Sequence, residues 1–315
     1  MNSKAMSKKM VDLSVTIGGV KLRNPVIAAS GTFGYGSEYS GLLDIAALGG
    51  ICTKGLTLHP RPGNTGVRIY ETASGLMNSI GLENPGIPAF IEKELPSLRN
   101  LGPVVIANLS GSDINEYAEG ALLLDASSVD MIELNISCPN VKSGGMSFGL
   151  DPETASAVTE TVRKAAAHKS LMVKLSPNAP DLIAVARACI SAGADALSLV
   201  NTFKAMAIDV HKRRPVFDNI SAGLSGPSIK PIALRMVWEL WEALHGLKQT
   251  VPIVGMGGIA SAQDALEYLM AGAAAIQVGS ATFARPPLMN EIISGMESYM
   301  KEKGFLKLPE LVIKH

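Results

Sequence analysis

The chain has little charge, few cysteines and no long apolar run, and each shortage excludes something. Only 18% of its 315 residues are charged, and 28 basic residues balance 28 acidic ones. A nucleic-acid footprint needs a basic excess, so no such partner is expected. A small anion held by one or two lysines stays open. Cys52, Cys138 and Cys189 are too few for a disulfide framework, and none form a Cys-x-x-Cys pair, which points to a reducing compartment. They also fall short of the usual all-cysteine iron–sulfur cluster. No stretch approaches the ~20 apolar residues of a membrane helix, so a cytoplasmic location without membrane contact is expected. Met1 to Met10 carries Lys4, Lys8 and Lys9 with no apolar run behind them. Residues 1–12 therefore read as a flexible tail rather than a signal peptide. The five histidines show no metal-ligand spacing, and no Gly-x-Gly-x-x-Gly opens a helix after a strand.

What is present is ample apolar material, 47% of the chain, in a regular alternation. Leu13 to Ile17, Gly18-Gly19 and Val20 to Leu22 read as a β-hairpin. From Pro25 onward, short apolar runs predict strands over Val26–Ala29, Gly50–Thr53, Val104–Leu109, Met131–Ile136, Leu171–Leu175, Ala196–Val200, Ile253–Gly255 and Ala275–Val278. Helical periodicity covers Asn115–Ala126, Pro152–Ala167, Pro180–Ala192, Ile229–Leu244, Ser261–Ala271 and Pro286–Lys303, with Asp151 and Ser261 as N-caps. The alternation predicts an α/β fold, a (β/α)8 TIM barrel formed by residues 13–315 as one domain, with an N-terminal β-hairpin. A doubly wound sheet is the alternative, since sequence does not show closure. Two connections are too long for turns, Leu56 to Leu82 after the second strand and Phe203 to Gly226 after the sixth. Long insertions of this kind serve as lids or binding loops.

Barrel active sites lie at the C-terminal strand ends. Here those ends carry Ser30-Gly31, Lys54-Gly55, Asn108, Asn135 to Asn140, Lys174 with Ser176, Asn201-Thr202, Gly257-Gly258 and Gly279-Ser280. A polar ring over an apolar barrel is hard to obtain from stability alone. The two glycine loops after the seventh and eighth strands suit a phosphate, because backbone amides at such turns bind anions. Lys54 and Lys174 leave apolar strands, which costs desolvation unless a partner receives them. Met131 to Asn140 is the anchor. Its apolar first half reads as a buried strand, and its second half delivers Asn135, Ser137, Cys138 and Asn140 to one spot. Pro139 restricts Cys138 to extended geometry. Cys52 and Cys189 read as core thiols, and Trp238 and Trp241 as packing.

The order Asn135-Ile-Ser-Cys138-Pro-Asn140 resembles the active-site segment of dihydroorotate dehydrogenases, and a cysteine there resembles class 1. Val141-Lys-Ser-Gly-Gly145 looks like the class 1B branch. Further likenesses are Ala28 to Thr32, Thr53-Lys54-Gly55, Asn78 to Leu82, Lys174 to Pro177, Val200-Asn-Thr202, Gly255 to Ile259 and Gly279 to Thr282. The resemblance implies one FMN per chain, bound by Ser30, Lys54, Gly55, Asn108, Asn135, Lys174, Val200, Gly226, Gly257, Gly258, Gly279 and Ser280. It implies a substrate site of Lys54, Asn78, Ser79, Ile80, Gly81, Leu82, Asn135, Asn140, Asn201 and Thr202. Cys138 would be the general base for oxidation of (S)-dihydroorotate to orotate in pyrimidine biosynthesis, with the hydride passing to the flavin and Lys174 stabilising developing charge. It also implies a partner subunit carrying FAD and a [2Fe–2S] cluster, through which NAD⁺ is reduced, in a heterotetramer built on a homodimer core. The residues alone leave other readings open. They are a fumarate-using class 1A-like enzyme, another FMN-dependent pyrimidine oxidoreductase, a phosphate-binding lyase or isomerase using Lys54 or Lys174 as a Schiff-base amine, and a non-enzymatic binding barrel, which would leave the Cys138 cluster unexplained.

Overall fold

Eight parallel strands close into a barrel in which every neighbour in space is also the next in sequence. They are β1 (Val26–Ala28), β2 (Gly50–Cys52), β3 (Val104–Leu109), β4 (Met131–Asn135), β5 (Ser170–Lys174), β6 (Ala196–Leu199), β7 (Ile253–Met256) and β8 (Ala275–Val278). In this computed structural model, residues 10–137, 148–246 and 250–313 are described. Closure decides between the barrel and the doubly wound sheet, in favour of the (β/α)8 TIM barrel. Strand positions agree with the sequence expectation to within a residue or two at each end.

Side chains alternate along each strand, and this alternation sorts the barrel into layers. Outward residues such as Ile132, Leu134, Leu171, Val173 and Leu197 are fully buried against the helices. Inward residues form a separate apolar cluster of Ile27, Cys52, Ile106, Met131, Met172, Ala196, Val254 and Ala275. Ile17 and Leu22 of the N-terminal hairpin complete that cluster, so the hairpin plugs one end of the barrel. Its turn needs positive φ at both central positions, and Gly18 (φ 53°) and Gly19 (φ 85°) supply it. One step further along the strands the interior becomes polar, with Asn108, Glu133, Lys174, Ser198 and Gln277 all buried.

Helices start where the sequence placed their caps. Asp151 accepts from the Thr154 amide and Ser261 from the Asp264 amide, opening Pro152–Ala165 and Ala262–Met270. The helix after β6 runs Lys230–Leu244, and Trp238 and Trp241 pack together on it with centroids 5.5 Å apart. Two differences from the expected alternation stand out. The first unit has only short 3₁₀ turns at Ser37–Tyr39 and Ile45–Ala47, and the last helix, Leu288–Lys303, packs against β1 instead. After the insertion that follows β2 comes a bent helix, Ile87–Arg99, that periodicity did not mark. It opens to π geometry over Phe90–Glu94, just before Pro96, which has no N–H to give.

The two long insertions are not separate loops. Ile69–Thr72 and Gly75–Asn78 from the first join Phe203–Met206 and Ser221–Ser225 from the second in one four-stranded antiparallel sheet. No described helix is long and apolar enough to cross a membrane. Of the expected tail, residues 1–9 lie outside the described residues, while Val11 packs on the core and the Asp12 amide donates to Leu306 O.

The plug has an energetic consequence. Leu22→Ala should lower unfolding stability by about 2–5 kcal/mol, because the side chain is buried between hairpin and barrel. Urea unfolding would show a lower midpoint at an unchanged slope. A variant as stable as the parent would mean that the hairpin only leans on the barrel.

Candidate active site

The polar end of the barrel opens into a cavity of about 820 Å³, roofed by the four-stranded sheet of the insertions. The alternation Met131, Glu133, Asn135 puts Glu133 on the inward face of β4, on the barrel axis beneath this cavity. Its Oε1 accepts from Ser198 Oγ at 2.8 Å and Gln277 Nε2 at 2.6 Å. Its Oε2 accepts from Asn108 Nδ2 at 2.6 Å and Cys52 Sγ at 3.2 Å. Lys174 Nζ lies 3.6 Å from the same oxygen and donates to Ser30 Oγ at 3.0 Å. Burial alone would push this carboxyl up. The Lys174 ammonium and the hydrogen bonds from Gln277, Cys52 and Ser198 outweigh burial and hold it below the usual carboxylate range. Burial and the neighbouring carboxylate push the Cys52 thiol well up, so it stays protonated and donates.

From Glu133 a relay of amides climbs towards the roof. Asn135 Nδ2 donates to Asn108 Oδ1 at 3.3 Å, and Ser137 Oγ donates to Asn135 Oδ1 at 2.7 Å. Asn201 Nδ2 then donates to Ser137 Oγ. Tyr117 Oη fixes the end of β4 by donating to Asn135 O at 2.8 Å. Each amide is thereby oriented before any ligand arrives.

Most of the expected site residues come together here. Ser30, Lys54, Gly55, Asn78, Ile80, Gly81, Leu82, Asn108, Asn135, Lys174, Val200, Asn201, Thr202, Gly226, Gly257, Gly258, Gly279 and Ser280 all line the cavity. Ser79 does not. It is 3% exposed and sits within the roof, where its Oγ accepts from Asn64 Nδ2 at 3.0 Å and Asn219 Nδ2 at 3.2 Å. Cys138 and Asn140 lie outside the described residues. Lys54 is partly exposed and pairs with Glu83 at 3.8 Å, and Glu83 is also held by Arg68 at 2.7 Å.

At the far side, two glycine turns meet. Gly257 (φ 126°) and Gly258 (φ 69°) have backbone that side chains rarely adopt. A Cβ at Gly258 would lie 2.8 Å from Gly226 O, so only glycine permits this approach. Tyr268 Oη donates to Gly257 O at 2.7 Å, and Asp264 accepts from the Ala260 amide at 3.0 Å. Lys230 is occupied by Asp264 and by Glu267 at 2.9 Å, so what these turns could offer an anion is backbone amides.

Sequence reasoning missed four members of the floor: Glu133, Cys52, Ser198 and Gln277. Cys52 reads as a core thiol and is one, yet it also donates to Glu133. The available signal was period-two alternation, which puts a glutamate in an apolar strand on the same face as Asn135.

The sequence profile of the dihydroorotate dehydrogenase family matches residues 12–300. The chain is similar to "Dihydroorotate dehydrogenase B (NAD(+)), catalytic subunit" of Petrotoga mobilis, with 57% identity over 96% of this chain and 99% of that protein. It is 53% identical to the protein of that name from Geotalea daltonii, over 96% of this chain and 97% of that one. The Caldicellulosiruptor saccharolyticus protein of the same name is 51% identical, over 96% and 98%. A profile running from the plug to the last helix, and relatives matched along nearly their whole length, leave one conclusion: the chain belongs to the dihydroorotate dehydrogenase family.

Proposed function

We propose that this chain is the FMN-binding catalytic subunit of a class 1B dihydroorotate dehydrogenase, which oxidises (S)-dihydroorotate to orotate in pyrimidine biosynthesis. The observation that carries the reading is the cavity in which Asn78, Asn108, Asn135 and Asn201 converge with Lys54 and Lys174. A planar cyclic imide bearing a carboxylate needs many amide donors and acceptors and at least one cation, and this set supplies both.

The residues fit FMN. Gln277 lines the cavity and its Oε1 is buried with no hydrogen-bond partner among the described residues, an acceptor suited to a ligand imide N–H. The glycine turns at Gly226, Gly257, Gly258 and Gly279 with Ser280 suit its phosphate. Ser30, Lys54, Gly55, Asn108, Asn135, Lys174 and Val200 would hold the rest. When bound, FMN supplies the acceptor for the hydride that leaves C6 of dihydroorotate.

The chain's own residues do the remainder. Lys54, Asn78, Ile80, Gly81, Leu82, Asn135, Asn140, Asn201 and Thr202 hold the substrate, and Ser79 supports them from within the roof. Lys54 receives the substrate carboxylate, which displaces Glu83 as its partner. Cys138 takes the proton from C5 as general base. A free cysteine titrates near ~8.5, so a neighbouring site that lowers this value raises the active thiolate fraction. The relay from Asn201 to Glu133 keeps the amides pre-aimed, so none must reorient during reaction. A partner bearing FAD and a [2Fe–2S] cluster would supply the path for electrons to NAD⁺, in a complex with two copies of each chain. The relatives' name, a catalytic subunit linked to NAD(+), supports a partner subunit and that acceptor.

Three outcomes test the reading. Cys138→Ser should retain flavin and bind orotate but lose roughly 10²–10⁴-fold in oxidation rate, with the residue of activity rising with pH because a hydroxyl is a poorer base. Unchanged turnover would remove Cys138 from the mechanism. Lys54→Ala should weaken orotate binding in a calorimetric or flavin-absorbance titration, and Lys54→Glu should weaken it further by opposing like charges. Normal orotate affinity in both would refute the placement of the substrate carboxylate. The purified chain alone should oxidise dihydroorotate with artificial dyes but not with NAD⁺. Robust NAD⁺ reduction without a partner, or good turnover with fumarate, would overturn class 1B while leaving the flavin chemistry standing.

A further inference from the structure

A carboxylate offers about four acceptor sites, and those of Glu133 are all taken by donors: Ser198, Gln277, Asn108 and Cys52. A protonated carboxyl would bring a fifth donor into a shell of donors, so the floor is built for the ionised form. Glu133 is 0% exposed and Lys174 is 4% exposed. Neither charge is solvated, so each is the other's compensation. The residues facing the pair come from six strands or strand ends: Ser30 after β1, Cys52 on β2, Asn108 on β3, Ser198 on β6 and Gln277 on β8, with Asn135 above on β4. Of these, Cys52 alone is titratable, and it is held as the neutral thiol.

We propose that Glu133 is a positioning residue that keeps Lys174 charged and aims it into the cavity, so that the charge state of the flavin site is set from the barrel axis beneath it. This rests on reading the cavity as a flavin site. Glu133 touches neither substrate nor the reacting atoms; it acts through Lys174 and through the amide relay that begins at Asn108. Without its carboxylate, the Lys174 ammonium would lie buried beside no opposite charge, an arrangement that costs far more than the pair does.

The test uses the chain stripped of flavin and titrated with FMN, read by quenching of flavin fluorescence, beside the pH profile of dye-linked oxidation. In Glu133→Gln, FMN affinity should fall about tenfold more than in the parent between about pH 6 and about pH 9. The double variant with Lys174→Met should lack that extra dependence. A Glu133→Gln chain that follows the parent's pH response overturns the proposal, as does an extra dependence that survives in the double variant. A parent chain that binds no FMN refutes the functional reading and this inference together.

Should Glu133→Gln not fold, Ser198→Ala decides. It leaves the carboxylate and removes one donor, so the Glu133 carboxyl moves up. A carboxyl held low in the folded chain stabilises it above the unfolded pKa, and that stability is lost as pH falls through the folded value. With the folded value raised, acid unfolding of the flavin-free chain should set in at higher pH than in the parent. An acid limb identical to the parent's overturns the proposal.

Discussion

Charge burial on the barrel axis is the constraint around which this structure is arranged. An isolated carboxylate out of water is so costly that it neutralises instead, unless an opposite charge and hydrogen-bond donors are already in place. Glu133 has both: Lys174 at 3.6 Å and donors on both oxygens. Those donors sit on separate strands, so the network also ties β2, β3, β5, β6 and β8 to β4 through one group. A buried ion pair of this kind is weak evidence for stability, since an apolar core of the same volume often serves as well. Its value lies in orientation. The Lys174 ammonium is fixed beside Ser30, and the Asn108 amide is turned so that its oxygen is presented to Asn135.

The rest of the fold can be read as support for that polar floor. Below it, the apolar inner layer and the plug of Ile17 and Leu22 exclude water from one side. Above it, the sheet shared by the two insertions closes part of the other side while leaving a cavity of about 820 Å³. The Gly257-Gly258 turn and the Gly226 turn touch at one corner. There Lys230 is neutralised by Asp264 and Glu267, so the turns carry no free lysine. The division of labour follows from the (β/α)8 architecture, in which one end of the strands carries stability and the other carries the site.

The chain's periodicity by itself determined the strands, most helices, the N-caps at Asp151 and Ser261, and the tight hairpin at Gly18-Gly19. These are local properties, set by side-chain spacing and by the backbone freedom of particular residues. The strand-end residues were legible for the same reason, because a barrel puts whatever follows each strand at one end. The likeness around Asn135 to Asn140 named the family from the same few positions. Tertiary structure decided what spacing cannot express. Closure of the sheet, the merging of two distant insertions into one roof, and the turning of Ser79 into that roof depend on partners more than a hundred residues apart. So does the role of Glu133: along the sequence it is one acid in an apolar strand, and only closure brings Ser198, Gln277 and Lys174 around it to make its charge tolerable.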